Sequence, residues 1–243
     1  ILCPMDPAQL AKLSSLNHGV LKEPRGFMKV LQFIFAICAF GVVTNYSSTF
    51  AFKVMCDSRN GTTIDTTTIE YNIHYPFRID HLDKDQKICG KVEEVPLHGD
   101  FSNDSKFFVC VGVLSFLYSI IALGVYIFLN EKYSNMDMIP IGDLVVTVIL
   151  SVFWLAGSSA WANSLSGLKV STSPSVWFDK AKFCSATKCI ALFTGNYAGL
   201  NVSVILGFLN FALWSSNLWF LYKETSWFKN RAESQNPTGN QGP

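Results

Sequence analysis

Residues 107–129 and 200–222 contain no Asp, Glu, Lys, Arg or His, and no other feature of the chain limits its fold so strongly. At about 1.5 Å of rise per residue, either run as a helix crosses a hydrocarbon core roughly 30 Å thick. Two further apolar runs, 30–46 after Lys29 and 144–161 after Asp143, lie at the lower edge of spanning length. Gly26, Phe27 and Met28 extend the first of these, with Lys29 snorkelling to the surface, and Ile141, Gly142 and Ala162 extend the other. A buried soluble helix is the competing reading of such runs. It conflicts with a composition of only 15% charged residues against about a quarter in soluble domains. Four spans follow, at 26–46, 107–129, 141–162 and 200–222.

The rest of the chain divides into a leading tail, 1–25, loops at 47–106, 130–140 and 163–199, and a trailing tail, 223–243. An even number of spans puts both tails on one side. Counted near the span ends, Lys12, Lys22, Arg25, Lys29, Lys132, Lys223, Lys229 and Arg231 favour a cytosolic location for the tails and for loop 130–140. The two long loops hold eleven Lys and Arg, spread more thinly. Cysteine placement points the same way, with Cys56 and Cys89 in one long loop and Cys184 and Cys189 in the other. Paired thiols persist as disulfides on the lumenal side and not in cytosol. The chain-entropy estimate is an upper bound of about 4 kcal/mol for the wider ring and about 2 kcal/mol for the tight one. Cys184 and Cys189 also read as a thiolate zinc half-site, but no second pair of matching spacing lies beside them. Asn60-Gly61-Thr62 is a glycosylation sequon in the middle of loop 47–106. The sequons at Asn45, Asn103 and Asn201 lie too near the spans for easy access. Ile69, Tyr71 and Ile73 alternate on one face of 66–75, the period of a short strand. The expected fold is therefore an all-α membrane protein, a four-helix transmembrane bundle with a small, disulfide-linked, partly β lumenal region. With no apolar leader and cleavage site ahead of it, the first span serves as the targeting signal. Residues 1–4, ahead of Met5, read as an upstream addition.

Within the spans, Gly112, Ser115, Ser119 and Ala122 form a small-residue stripe that lets a neighbouring backbone approach. Thr147, Ser151 and Ser158 do so on the third span. Asn210 and Asn217 share a face of the fourth with Ser203 and Gly207. These are read as helix-packing residues in preference to a pore lining. Asp143, near the cytosolic end of its span, is expected to face water or cap the helix, and no proton relay or selectivity ring is visible. Trp161 and Trp227 fit interfacial anchors, whereas Trp154, Trp214 and Trp219 fit packing inside the bundle. His18, His74, His81 and His98 lack metal-ligand spacing. No nucleophile elbow, phosphate-cradling loop or carboxylate pair occurs, and a net charge of +1 without a basic aromatic stripe gives no support to a nucleic-acid partner. Neither a cofactor, a metal nor a catalytic residue is expected.

Several stretches together resemble the synaptophysin family: Leu21-Lys22-Glu23-Pro24-Arg25-Gly26-Phe27, Tyr75-Pro76-Phe77-Arg78, Gly157-Ser158-Ser159-Ala160-Trp161-Ala162, Leu200-Asn201-Val202-Ser203-Val204, Gly207-Phe208-Leu209-Asn210, and Lys223-Glu224-Thr225 followed by Trp227. The resemblance implies a MARVEL four-helix domain with cytosolic termini and a disulfide in each lumenal loop. It also implies residence in synaptic-like or transport vesicles, cholesterol-rich membrane lipid, homo-oligomerisation and association with a synaptobrevin-type fusion protein. The polar segment 228–243 departs from the long Gly-, Tyr- and Pro-rich tail of synaptophysin itself and points to a pantophysin-like branch, with a mitsugumin-like branch as the alternative. A vesicle membrane organiser is the leading functional expectation. A channel- or junction-forming four-span protein is the alternative, although the cysteine patterns of connexins, claudins and tetraspanins are missing.

Overall fold

The computed structural model describes residues 23–56, 65–80, 82, 85–95, 97–128, 138–185 and 188–225. Four of its helices are long and apolar enough to cross a membrane: α1 (Pro24–Thr44), α2 (Ser102–Phe128), α3 (Met138–Ser171) and, after a short α4 (Pro174–Lys180) and a 3₁₀ turn (Lys182–Ser185), α5 (Ala198–Glu224). The third is 34 residues long, so the segment after residue 162, expected to be loop, begins as helix. Thr172 ends it, its hydroxyl donating to the Leu168 carbonyl at 2.9 Å.

Between α1 and α2 lie β1 (Ser47–Cys56), β2 (Asp65–His74), β3 (Asp85–Ile88) and β4 (Lys91–Glu94), and β5 (Lys188–Phe193) precedes α5. The sheet order is β2-β1-β5, with a separate β3-β4 hairpin. Antiparallel register sets Ser47 opposite His74 and Val54 opposite both Thr67 and Cys189. Period-two alternation puts Phe50, Phe52, Val54, Ile69, Tyr71 and Ile73 on the buried face. Ser173 caps α4, accepting from the Val176 N–H, and Pro174 opens it. The cap delivers Trp177 flat against Phe52, with ring centroids 4.0 Å apart.

Both expected disulfides are present. Cys56 ends β1 and joins Cys89 with Cα atoms 5.4 Å apart, and Cys184 joins Cys189 at 5.5 Å. Cys89 and Gly90 form the two-residue β3-β4 turn, both with positive φ (53° and 78°), the backbone that a type I′ hairpin requires.

The chain resolves into two compact units, one over Ile1–Ile37, Val113–Leu155 and Phe208–Pro243, the other over Cys38–Gly112 and Ala156–Gly207.

Candidate functional site: a polar core among the spans

In the first unit the side chains sort opposite to those of a soluble bundle. Ile34, Leu117, Ile121, Val152 and Phe208 are exposed, while Lys29, Gln32, Ser115, Ser119, Thr147, Asn210 and Asn217 have no exposed surface at all. Lipid explains the inversion, because apolar side chains are at home against acyl tails and polar groups gain only by turning inward to one another.

Lys29 and Asp143 lie at the centre of this core. Lys29 Nζ donates to Asp143 Oδ1 at 3.1 Å and to Thr147 Oγ1 at 3.4 Å. Tyr118 OH donates to the same carboxylate oxygen at 2.6 Å, and Tyr126 OH donates to Oδ2. The ammonium also sits 4.8 Å from the Tyr118 ring centroid and 5.1 Å from that of Trp214, within cation–π range. Arg25 lies over the Tyr126 ring at 5.5 Å and pairs with Glu23 at 2.8 Å. All four spans thus contribute: α1 the cation, α3 the anion, α2 two phenols and α5 an indole. Two sequence expectations are corrected here. Lys29 does not snorkel, and Asp143, in the second turn of α3, neither faces water nor caps the helix. A charge buried in lipid is costly, by about 3 kcal/mol or more at mid-span; Lys29 and Asp143, each the sixth residue of its helix, offset part of their burial through their 3.1 Å contact and the further donors.

The other expected site residues occupy identifiable places. Ser119 Oγ donates to the Ser115 carbonyl at 2.8 Å, and Ser115 Oγ accepts from Trp154 Nε1 at 2.9 Å. Ser151 and Ser215 share a hydrogen bond of 2.8 Å between α3 and α5. Gln32 and Asn217 bury both polar atoms of their amides without a hydrogen bond. Asn60 and Trp227 fall outside the described residues.

In the second unit Gly112 is buried, and a Cβ there would stand 3.0 Å from Phe40. A Cβ at Gly207 would come within 2.7 Å of the Phe108 ring and closer still to Ser158 Oγ, so α5 approaches α2 and α3 only because position 207 has no side chain. Trp161 is fully buried, its Nε1 donating to Ser203 Oγ at 2.9 Å, so it is not an interfacial anchor. Trp219, expected inside the bundle, is 56% exposed. The Tyr-Pro-Phe-Arg motif folds into a turn with a cis Tyr75–Pro76 bond, and Phe77 at φ 65° is buried against Trp161 and Tyr46, centroids 5.2 and 5.8 Å away. Arg78 bridges to Asp100, whose carboxylate accepts from the Ser102 N–H at the start of α2. The Ser102 hydroxyl and this N–H together hold the exposed Asp100 carboxyl below its usual range. Tyr197 shares a 2.6 Å hydrogen bond with Thr172, yet burial outweighs it and pushes the phenol up to about 12.

Among the described residues, no cluster of three or more His, Cys, Asp or Glu side chains forms a metal site. The chemistry available to the polar core is interhelical adhesion: it holds complementary charges and aromatic faces together in a lipid-surrounded bundle. Its sequence signal was weak, because Lys29 and Asp143 are 114 positions apart and each, read alone, looks like a charge at the edge of a span. Residues 20–220 match the family model of the MARVEL membrane-associating domain.

Proposed function

Because the chain belongs to the MARVEL membrane-associating family, we propose that it is a non-enzymatic organiser of vesicle membrane, with both termini and loop 130–140 in the cytosol and the disulfide-linked loops in the lumen. The supporting observation is the sorting of side chains: an apolar outer surface fitted to lipid around a core whose charges are engaged with each other. Trp154 and Trp214 are fully buried and packed against Ser115 and Lys29, an arrangement that suits a packed bundle better than a channel. Two disulfides in the strand-bearing loops suit an oxidising lumen, and Asn60 would carry a glycan there.

The resemblance to the synaptophysin family narrows the proposal to synaptic-like or transport vesicles, where the protein clusters membrane components for trafficking and exocytosis. Homo-oligomers, cholesterol-rich lipid and a synaptobrevin-type fusion protein are its proposed associations. Immunogold labelling of the full-length protein tests the reading. Label on small cytoplasmic vesicles supports it, and label confined to cell junctions contradicts it. In a planar bilayer the purified protein is expected to show no large, selective unitary conductance.

A further inference from the structure

We propose that Lys29 and Asp143 form an interhelical latch that selects the register of the four-span bundle, in addition to stabilising it. Lys29 and Asp143 form an ion pair inside the bundle, and its geometry ties position and rotation together. Lys29 has no exposed surface and Asp143 only 7%, so neither ion has water to fall back on. Sliding α1 by one turn against α3 would move the ammonium about 5.4 Å along the axis and out of hydrogen-bond reach. Turning α1 by one residue's rotation would carry the ammonium away from the carboxylate. Either shift takes Lys29 away from its carboxylate; a one-turn slip that carries Arg25, four residues earlier, toward Asp143 would offer the anion another cation but would still leave the buried ammonium without its partner.

The carboxylate also reads α2 and α5. Tyr118 and Tyr126 lie eight positions apart on α2 and reach the two different oxygens of Asp143, which brackets α3 between two turns of α2. Trp214 of α5 closes over the ammonium. One buried pair thus specifies neighbours on all four spans. Setting register is the best-attested use of a buried polar pair.

Gln32 lies one turn from Lys29 on α1 and Asn217 one turn from Trp214 on α5, and both are fully buried with their amide atoms unbonded. They are buried polar groups without charge and without a hydrogen-bond partner to specify register, so they provide an internal contrast. Replacing an unbonded buried amide by a leucine of similar size is neutral or favourable, whereas breaking the latch on one side strands a charge.

The test is a cycle of Lys29→Leu, Asp143→Leu and the double variant in the full chain, purified in detergent and followed by thermal unfolding, with Gln32→Leu as control and Lys29→Asp with Asp143→Lys as the exchanged pair. Each single variant should lower the midpoint by about 10 °C. The double variant should regain at least half of the summed loss, the exchanged pair should be more stable than either single variant, and Gln32→Leu should cost nothing. A double variant whose loss equals the sum of the singles overturns the latch, as does a single variant no worse than Gln32→Leu. Should the single variants fail to fold, a folded double variant supports the latch and an unfolded one overturns it.

Discussion

The interior of the first unit and the sheet of the second are built from opposite materials. Around Lys29 the contacts are charges, hydroxyls and aromatic faces turned toward charges. Around Phe52 they are ring against ring, with Trp177 stacked at 4.0 Å and Phe178 edge-on, Phe183 in turn standing edge-on to Trp177, and the region carries two disulfides. The surroundings account for the difference. A strand leaving the membrane loses water when its rings pack, so the hydrophobic effect drives assembly. Spans in lipid have no such drive between them, and close approach and internal polar pairs take its place. Both regions obey one rule, that each side chain turns away from the medium it does not suit.

Substitutions that affect one region and spare the other should sharpen this contrast. The largest effect is expected from Trp177→Ala, which removes the ring filling the buried face of the sheet and should cost about 3–5 kcal/mol. Near-UV circular dichroism should lose the aromatic signal of the sheet while far-UV helicity persists, and a parallel loss of helicity would break the contrast. Next comes reduction. Opening Cys56–Cys89 should cost at most about 4 kcal/mol and opening Cys184–Cys189 about 2 kcal/mol, so protease digestion under reducing conditions should cut the strand-bearing segments first. Simultaneous loss of the spans would contradict this. Gly207→Ala drives a methyl into Phe108 and Ser158 and should cost about 1–3 kcal/mol, read as a lower unfolding midpoint in detergent. An unchanged midpoint would mean that α5 approaches less closely than described.

The smallest expected effect follows pH. Because the folded Tyr197 phenol titrates near 12 and the free one near 10, the folded state holds this proton more tightly. Its contribution is fully present below pH 10 and is lost as pH rises through 12. Wild type should therefore lose more stability over that window than Tyr197→Phe, and identical alkaline profiles would remove the phenol from the account.

The spans were legible because lipid imposes a long, charge-free run that survives without any knowledge of neighbours. Strand β2 was legible for a similar local reason, since Ile69, Tyr71 and Ile73 alternate. The same period in Phe50, Phe52, Val54 and Cys56 marks β1, while β5, a lysine followed by five apolar residues, is too short to show one. The length of α3 was missed because Asn163, Ser164 and Ser166 read as loop, although Ser164 hydrogen-bonds Asp104 of α2. The polar core was least legible. No local pattern distinguishes a lysine that reaches the surface from one that meets an aspartate 114 positions later, nor an indole at the interface from Trp161 bonded to Ser203.

Lipid-phase carbene labelling of the protein in bilayers, mapped by mass spectrometry, tests the inside-out arrangement of the spans most directly. Ile34, Ile121, Val152 and Ile205, all at least 45% exposed, should be modified, while Lys29, Ser119, Asn210 and Asn217 should stay unmodified. Modification of the polar set at levels matching the apolar set would contradict the account.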